Sequence, residues 1–249
     1  MGECVLPSEE AHHCAKVLRL RPGDALALFD GRGQLADAVI ARVERRAVAA
    51  AVREVRTVPF DMAIRLTLLI AAGKAHRQGY LIEKCTELGA ARIAPVLTRR
   101  SVTRPGEVAA EKWRRRAIEA CKQCHRAWVP VIDDPRDFDA SVEFAITAHH
   151  TCLVGQPGAG ESFQTVIEGR VALGAPPAAT SAEPPNVAIF IGPEGGWTDE
   201  ELSALIGRGV VPIALSPSVL RTETAAVAAC AAVALASVGR PPRPATAGP

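Results

Sequence analysis

The chain has 249 residues, 48% of them hydrophobic, enough for a sizeable core and too apolar for a disordered polymer. Its net charge of +2 does not by itself demand a nucleic-acid partner, so the distribution of charge has to decide. No apolar run reaches the roughly 18 residues needed to cross a bilayer, and seven scattered cysteines, an odd number, make no disulfide framework. The acidic start MGECVLPSEEAHHC lacks the apolar stretch of a signal peptide, and Leu6 breaks the myristoylation pattern. These features point to reduced thiols and a cytoplasmic setting, with no membrane partner.

In chain order, residues 9–20 have helical spacing, and RPGD at 21–24 reads as a turn. Apolar pieces at 25–29 and 36–43 flank DGRG, a strong hairpin signal, and 48–55 can form a third strand. Residues 1–58 therefore read as a small β-rich domain, and TVPF at 57–60 as a linker. The pattern changes at residue 62. Residues 64–71 form a continuous apolar run of strand length, suited to burial on both faces. A helix at 74–88 ends at Gly89, a strand follows at 92–97, and a long basic helix at 108–126 buries Trp113, Ala117, Cys121 and Cys124.

Residues 144–148 and 152–154 are weaker strand candidates. The Ala/Pro-rich stretch 171–185 reads as a flexible insertion. A buried strand is expected at 186–191, then a helix from Asp199 capped by Thr198, a strand at 211–215, and an Ala-rich helix at 222–238 capped by Thr222. Alternating strands and helices over 62–238 predict an α/β domain with a mainly parallel sheet; 239–249 reads as a disordered tail.

Two segments stand out. GPEGGW sits between a buried strand and a capped helix, where open parallel sheets bind ligands. Gly192, Gly195 and Gly196 let backbone approach a ligand closely. The spacing is neither a P-loop nor a dinucleotide fingerprint, and an ordinary strand-to-helix turn would look similar. LSPSVLRTETAA at 215–226 follows another buried strand and places Arg221 and Glu223 at the mouth of an apolar region; a surface ion pair is the plainer alternative. Between Arg99 and Arg126 lie nine Lys/Arg against three Glu, a ridge suited to phosphates or merely a solvated helix face. CKQCH at 121–125 matches a haem-attachment pattern but lies within a helical run, and no second cysteine pair has zinc-ligand spacing, so no metal is expected.

Taken in order, HHCAKVLRLRPGD, DGRG, KAHRQGYLIEKCTELGA, AIEACKQCHRAWVPVI, IFIGPEGGWTDEEL and SVLRTETAA closely resemble the ribosomal RNA small subunit methyltransferase E family of the SPOUT superfamily. The resemblance spans nearly the whole chain. It implies a PUA-like β-barrel before an α/β domain with a C-terminal trefoil knot, a homodimer, S-adenosylmethionine as methyl donor, and methylation of uridine N3 in small-subunit ribosomal RNA. By motif match, the cofactor would meet Leu153 and Val154, then Ile191, Gly192, Pro193, Glu194, Gly195 and Gly196, then Leu215, Ser216, Pro217, Val219, Leu220 and Thr224. Ser216 and His125 stand where the family usually has glycine, and the N-terminal arm is short. Arg221 is expected to steady negative charge on the base or a phosphate, and Glu223 to orient Arg221 or take the proton. Arg19, Arg21, Lys74, Arg77, Arg99, Arg100, Arg114, Arg115 and Arg126 are the expected RNA contacts. A ribose 2′-hydroxyl methyltransferase, or a non-catalytic RNA-binding assembly protein on the same fold, remains open at this stage.

Overall fold

The computed structural model describes residues 2–44, 47–73, 75–101, 103–149, 151–170 and 184–238. The insertion expected over 171–185 falls, but for its last two residues, outside them, and so does the tail at 239–249. The chain divides into two compact units, the second beginning at Asp61.

The first unit is an antiparallel sheet of β1 (Glu3–Val5), β2 (Ala25–Phe29), β3 (Gln34–Val43) and β4 (Val48–Thr57), in the order β1-β4-β3-β2. The DGRG turn joins β2 to β3 because Asp30 accepts hydrogen bonds from the backbone of Arg32 and Gln34, at 2.7 and 3.0 Å. Gly31 and Gly33 take φ of 76° and 97°, which side chains resist. Helical spacing over 9–20 resolves into α1 (Ser8–His12) and a π-helical turn, His13–Val17. That turn sets Cys14 beside Leu6, Ala11, Ile40 and Val48 in a small core.

The second unit holds a seven-stranded sheet whose pairings are all parallel. Its path is β11 (Val211–Ile213), β9 (Thr151–Gly155), β10 (Asn186–Ile191), β5 (Arg65–Ala71), β6 (Arg92–Leu97) and β7 (Val131–Ile132), with β8 (Arg136–Asp137) also on β6. Successive side chains of β5 serve opposite faces. Leu66, Leu68 and Ile70 face α2 (Ala75–Glu87), α3 (Glu107–Cys124), α5 (Phe163–Arg170) and α7 (Thr222–Ser237). Leu69, with Ala94, Val96 and Phe190, faces α4 (Phe138–Ala148) and α6 (Asp199–Gly207). Covering both faces is what a parallel sheet of such apolar strands requires. Small residues on α7, among them Ala226 and Ala229, let it lie closely on α2 and β5.

Residues 144–148 are helical, not a strand. Ser141, Val142 and Ala145 are the buried positions, a helical spacing that a short apolar run conceals. Thr198 does cap α6. Its hydroxyl accepts from the Glu201 backbone at 3.2 Å, and the Glu201 carboxylate accepts from the Thr198 backbone at 3.0 Å. The same carboxylate, buried, also takes the Arg99 backbone N–H at 2.8 Å, tying the loop after β6 to α6. Thr198→Ala is expected to cost about 1 kcal/mol, read as a lower urea midpoint with an unchanged slope.

Candidate functional site

The carboxyl ends of β9, β10 and β11 converge on one open cleft, the place where open parallel sheets bind ligands. Three chain segments wall it. After β9 come Gly155, Gln156 and Pro157; after β10 come Ile191, Gly192, Pro193, Glu194, Gly196 and Trp197. Between β11 and α7 run Leu215, Ser216, Ser218, Val219 and Leu220, with Thr222 and Ala225 closing the bottom.

The GPEGG turn is held from three directions. Gly196, at φ 70°, donates its N–H to the Pro193 carbonyl at 2.8 Å. Arg100 donates to the carbonyls of Gly195 and Trp197, at 2.7 and 3.2 Å. The Thr222 hydroxyl donates to the Gly192 carbonyl at 2.8 Å, stitching this turn to α7. Thr222 therefore does not cap its own helix; Arg221 occupies the cap position. Ser216 fits its loop, since its hydroxyl accepts from the Ser218 backbone at 3.1 Å and forms a local turn that glycine could not.

Of the expected cofactor residues, Ile191, Gly192, Pro193, Glu194, Gly196, Leu215, Ser216, Val219 and Leu220 line the cleft. Leu153 and Val154 do not. Both are fully buried in β9, with side chains in the layers on either side of the sheet, and the wall lies just downstream at Gly155–Pro157. Gly195 packs against Arg100 instead, Pro217 is exposed outside the lining, and Thr224 sits on the exposed side of α7.

The charged residues also rearrange. Arg221 is exposed, and no hydrogen bond or ion pair joins its side chain to a described residue. Glu223 does not orient it. Glu223 faces Arg77 at 3.7 Å, and Arg77 also reaches Glu194 of the GPEGG turn at 2.9 Å. One guanidinium thus bridges the two walls of the site.

Among the expected RNA contacts, Arg19, Arg21, Arg99 and Arg115 are exposed. Arg99 has Glu200 only at 4.0 Å, and Arg115 has Glu111 at 3.9 Å. Arg114 is taken up by the Ile132 carbonyl and Asp134, and Arg100 by the turn it clamps. Arg126 is buried against Asp61 and the Thr86 carbonyl, out of reach of a phosphate. Lys74 lies outside the described residues. In CKQCH, burial pushes the Cys121 thiol up to about 11, and His125 adopts φ 58° to end α3. That is a helix terminus built from a thiol held neutral, not a thiolate site.

An RNA methyltransferase domain model matches residues 61–234, and an RNA methyltransferase PUA domain model matches residues 6–52. The cleft at the strand ends, in a chain that also carries an N-terminal PUA domain, therefore belongs to an RNA methyltransferase. A Mycobacterium tuberculosis ribosomal RNA small subunit methyltransferase E is 31% identical, over 94% of this chain and 85% of its own. A methyltransferase from Legionella pneumophila, solved in complex with the cofactor SAM, superposes with TM-score 0.81 at 31% identity, covering 94% of this chain and 92% of that one. The Neisseria gonorrhoeae ribosomal RNA small subunit methyltransferase E, bound to S-adenosyl methionine, gives TM-score 0.79 at 26% identity, over 93% and 90%. The chain belongs to the ribosomal RNA small subunit methyltransferase E family.

Proposed function

We propose that this enzyme moves a methyl group from S-adenosylmethionine to N3 of a uridine in small-subunit ribosomal RNA. The observation that carries the reading is the cleft itself, walled by the GPEGG turn and the loop before α7. Its chemistry fits the donor. Ile191, Pro193, Leu215 and Leu220 offer apolar walls for a planar base. Glu194 and the Ser216 and Ser218 hydroxyls supply polar contacts at the rim, the carboxylate suiting a ligand with net positive charge. S-adenosylmethionine supplies an electrophilic methyl on a sulfonium.

The protein must then make N3 nucleophilic. Uridine N3–H is a weak acid, and its loss leaves negative charge shared with O2 and O4. Arg221, exposed and free of carboxylate partners, is the group that can meet that charge. Glu223 accepts the departing proton, while Arg77 fixes the orientation of its carboxylate. Arg19 and Arg21 in the first unit and Arg99 and Arg115 in the second make phosphate contacts, so binding should weaken steeply with salt. The trefoil knot, the division into 1–58 and 62–238, a cytoplasmic site of action and a homodimer belong to the same reading. Leu235 of α7, three-quarters exposed, is an apolar surface available for self-association.

The test is methylation of small ribosomal subunits with labelled donor, followed by mass mapping of the modified nucleoside. A methyl on ribose, or on another base, would overturn the N3 assignment. Arg221→Ala is expected to lower kcat about 100-fold with donor affinity by calorimetry unchanged. Full activity in that variant would remove Arg221 from the mechanism.

A further inference from the structure

Beside the donor cleft, and sharing Glu194 and Thr222 with it, lies a second, much smaller cavity. Arg77, Gln78, Leu81 and Glu223 complete its walls with Gly73. Its enclosed space is only about water-sized, enough to seat one carbonyl oxygen rather than a whole ring.

Gln78 is the anomaly in it. On α2 it leads the stripe Gln78, Ile82 and Cys85, spaced i, i+4, i+7, the core-facing side of an amphipathic helix. An aliphatic residue is what that stripe calls for. Gln78 is only 3% exposed, yet its carboxamide makes no hydrogen bond to any described residue. Its Oε1 lies 3.8 Å from where a Cβ on Gly73 would stand, in a cavity that the glycine leaves open. Its polar atoms keep access to that cavity rather than being sealed in the core, so water can meet them in the free enzyme. Next to it, Arg77 donates through Nη1 to Glu194 and faces Glu223 through Nε.

We infer that Gln78 reads the acceptor base, donating its Nε2 hydrogens to a pyrimidine carbonyl oxygen that enters this cavity. The inference rests on the methyl-transfer reading above and adds the residue that selects the base. A uracil presents carbonyls on both sides of N3. Gln78 and Arg77 are neighbouring donors on one wall, and a guanidinium can only donate. A cytosine places an amino group at one of those two carbonyl positions, so this wall favours uracil. In the free enzyme, water stands at the amide where the base carbonyl would sit.

Gln78→Leu keeps the volume and removes the amide. Because it deletes a group that water reaches, its Tm should stay within about 2 °C of wild type. Its kcat/KM on small ribosomal subunits should fall about tenfold, the value of one hydrogen bond, with donor affinity unchanged. That pairing of unchanged stability with lower activity is not what a packing residue would give. Gln78→Glu, which keeps the acceptors and loses the donors, should fall at least as far. In protein carrying ¹⁵N-labelled glutamine side chains, the Gln78 NH₂ signal should shift on adding uridine 5′-monophosphate, and less on adding cytidine 5′-monophosphate. If wild-type enzyme methylates subunits and Gln78→Leu does so equally well, the inference is wrong. It is equally wrong if the variant loses donor affinity, or if the amide signal ignores both nucleotides. If wild-type enzyme transfers no methyl group at all, the parent reading is what has failed.

Discussion

Arg126→Ala is expected to destabilise the second unit by about 3 kcal/mol, a fall in Tm of roughly 6–12 °C for a domain of this size. The guanidinium is forked onto both oxygens of Asp61, at 2.7 and 2.8 Å, and donates through Nη1 to the Thr86 carbonyl at 2.8 Å. Burial works against its charge, and the Asp61 carboxylate outweighs burial, so its pKa is raised. Removing one member of such a pair strands the others. Asp61 keeps 36% of its side chain exposed, so water can partly rescue it, which places the loss at the lower end for a buried pair. The variant should be measured by denaturant titration and, while still folded, by RNA affinity across a salt series. A phosphate contact would lower the salt slope by about one. Arg126→Ala should leave that slope unchanged, whereas Arg99→Ala should reduce it with little loss of stability.

That contrast shows where a linear sequence is informative. A cluster of cations between Arg99 and Arg126 is visible in the sequence, but which of them have partners is not. Asp61 is 65 residues from Arg126, and only the fold joins them. Local rules fared well where the physics is local. The Asp30 turn, the Thr198–Glu201 capping box and the doubly buried β5 and β10 are each determined within a few residues. Residues 144–148 misled because an apolar run too short to show its period fits either element.

The site divides the same way. The GPEGG turn and the loop before α7 carry unusual glycine and proline and were legible as walls. The third wall was misplaced by a step. Ligands sit beyond the carboxyl ends of strands, and applying that rule to β9 leads to Gly155–Pro157, not to Leu153 and Val154, whose side chains are core. Glu223, two residues from Arg221 in sequence, is expected there to orient Arg221 or to take the proton. Across the turn from an extended cap residue into a helix, their side chains need not meet, and Arg77 from α2 takes the place. Gln78 gave a faint signal, a polar residue in an apolar stripe. Its meaning needed the cavity.

Gly192→Ala is expected to weaken S-adenosylmethionine binding at least tenfold while costing about 1–3 kcal/mol of stability. A Cβ on Gly192 would lie 3.1 Å from both Cε2 and Nε1 of Trp197. The indole cannot retreat, being buried between Phe190 and Phe138, with ring centroids at 6.3 and 6.0 Å. The backbone must move instead, and it carries the carbonyl that receives the Thr222 hydroxyl at 2.8 Å. A shift there disturbs both the GPEGG wall and the start of α7, where Arg221 and Glu223 stand. Gly155→Ala is the control. It lies on the same cleft, yet its Cβ would meet only ordinary contacts of 3.5–3.6 Å, so its stability should stay within about 0.5 kcal/mol of wild type. Calorimetric titration of both variants, alongside their denaturation curves, separates wall distortion from a general sensitivity to added methyl groups. Wild-type donor affinity in Gly192→Ala would mean that the GPEGG turn braces the sheet and the donor is held elsewhere.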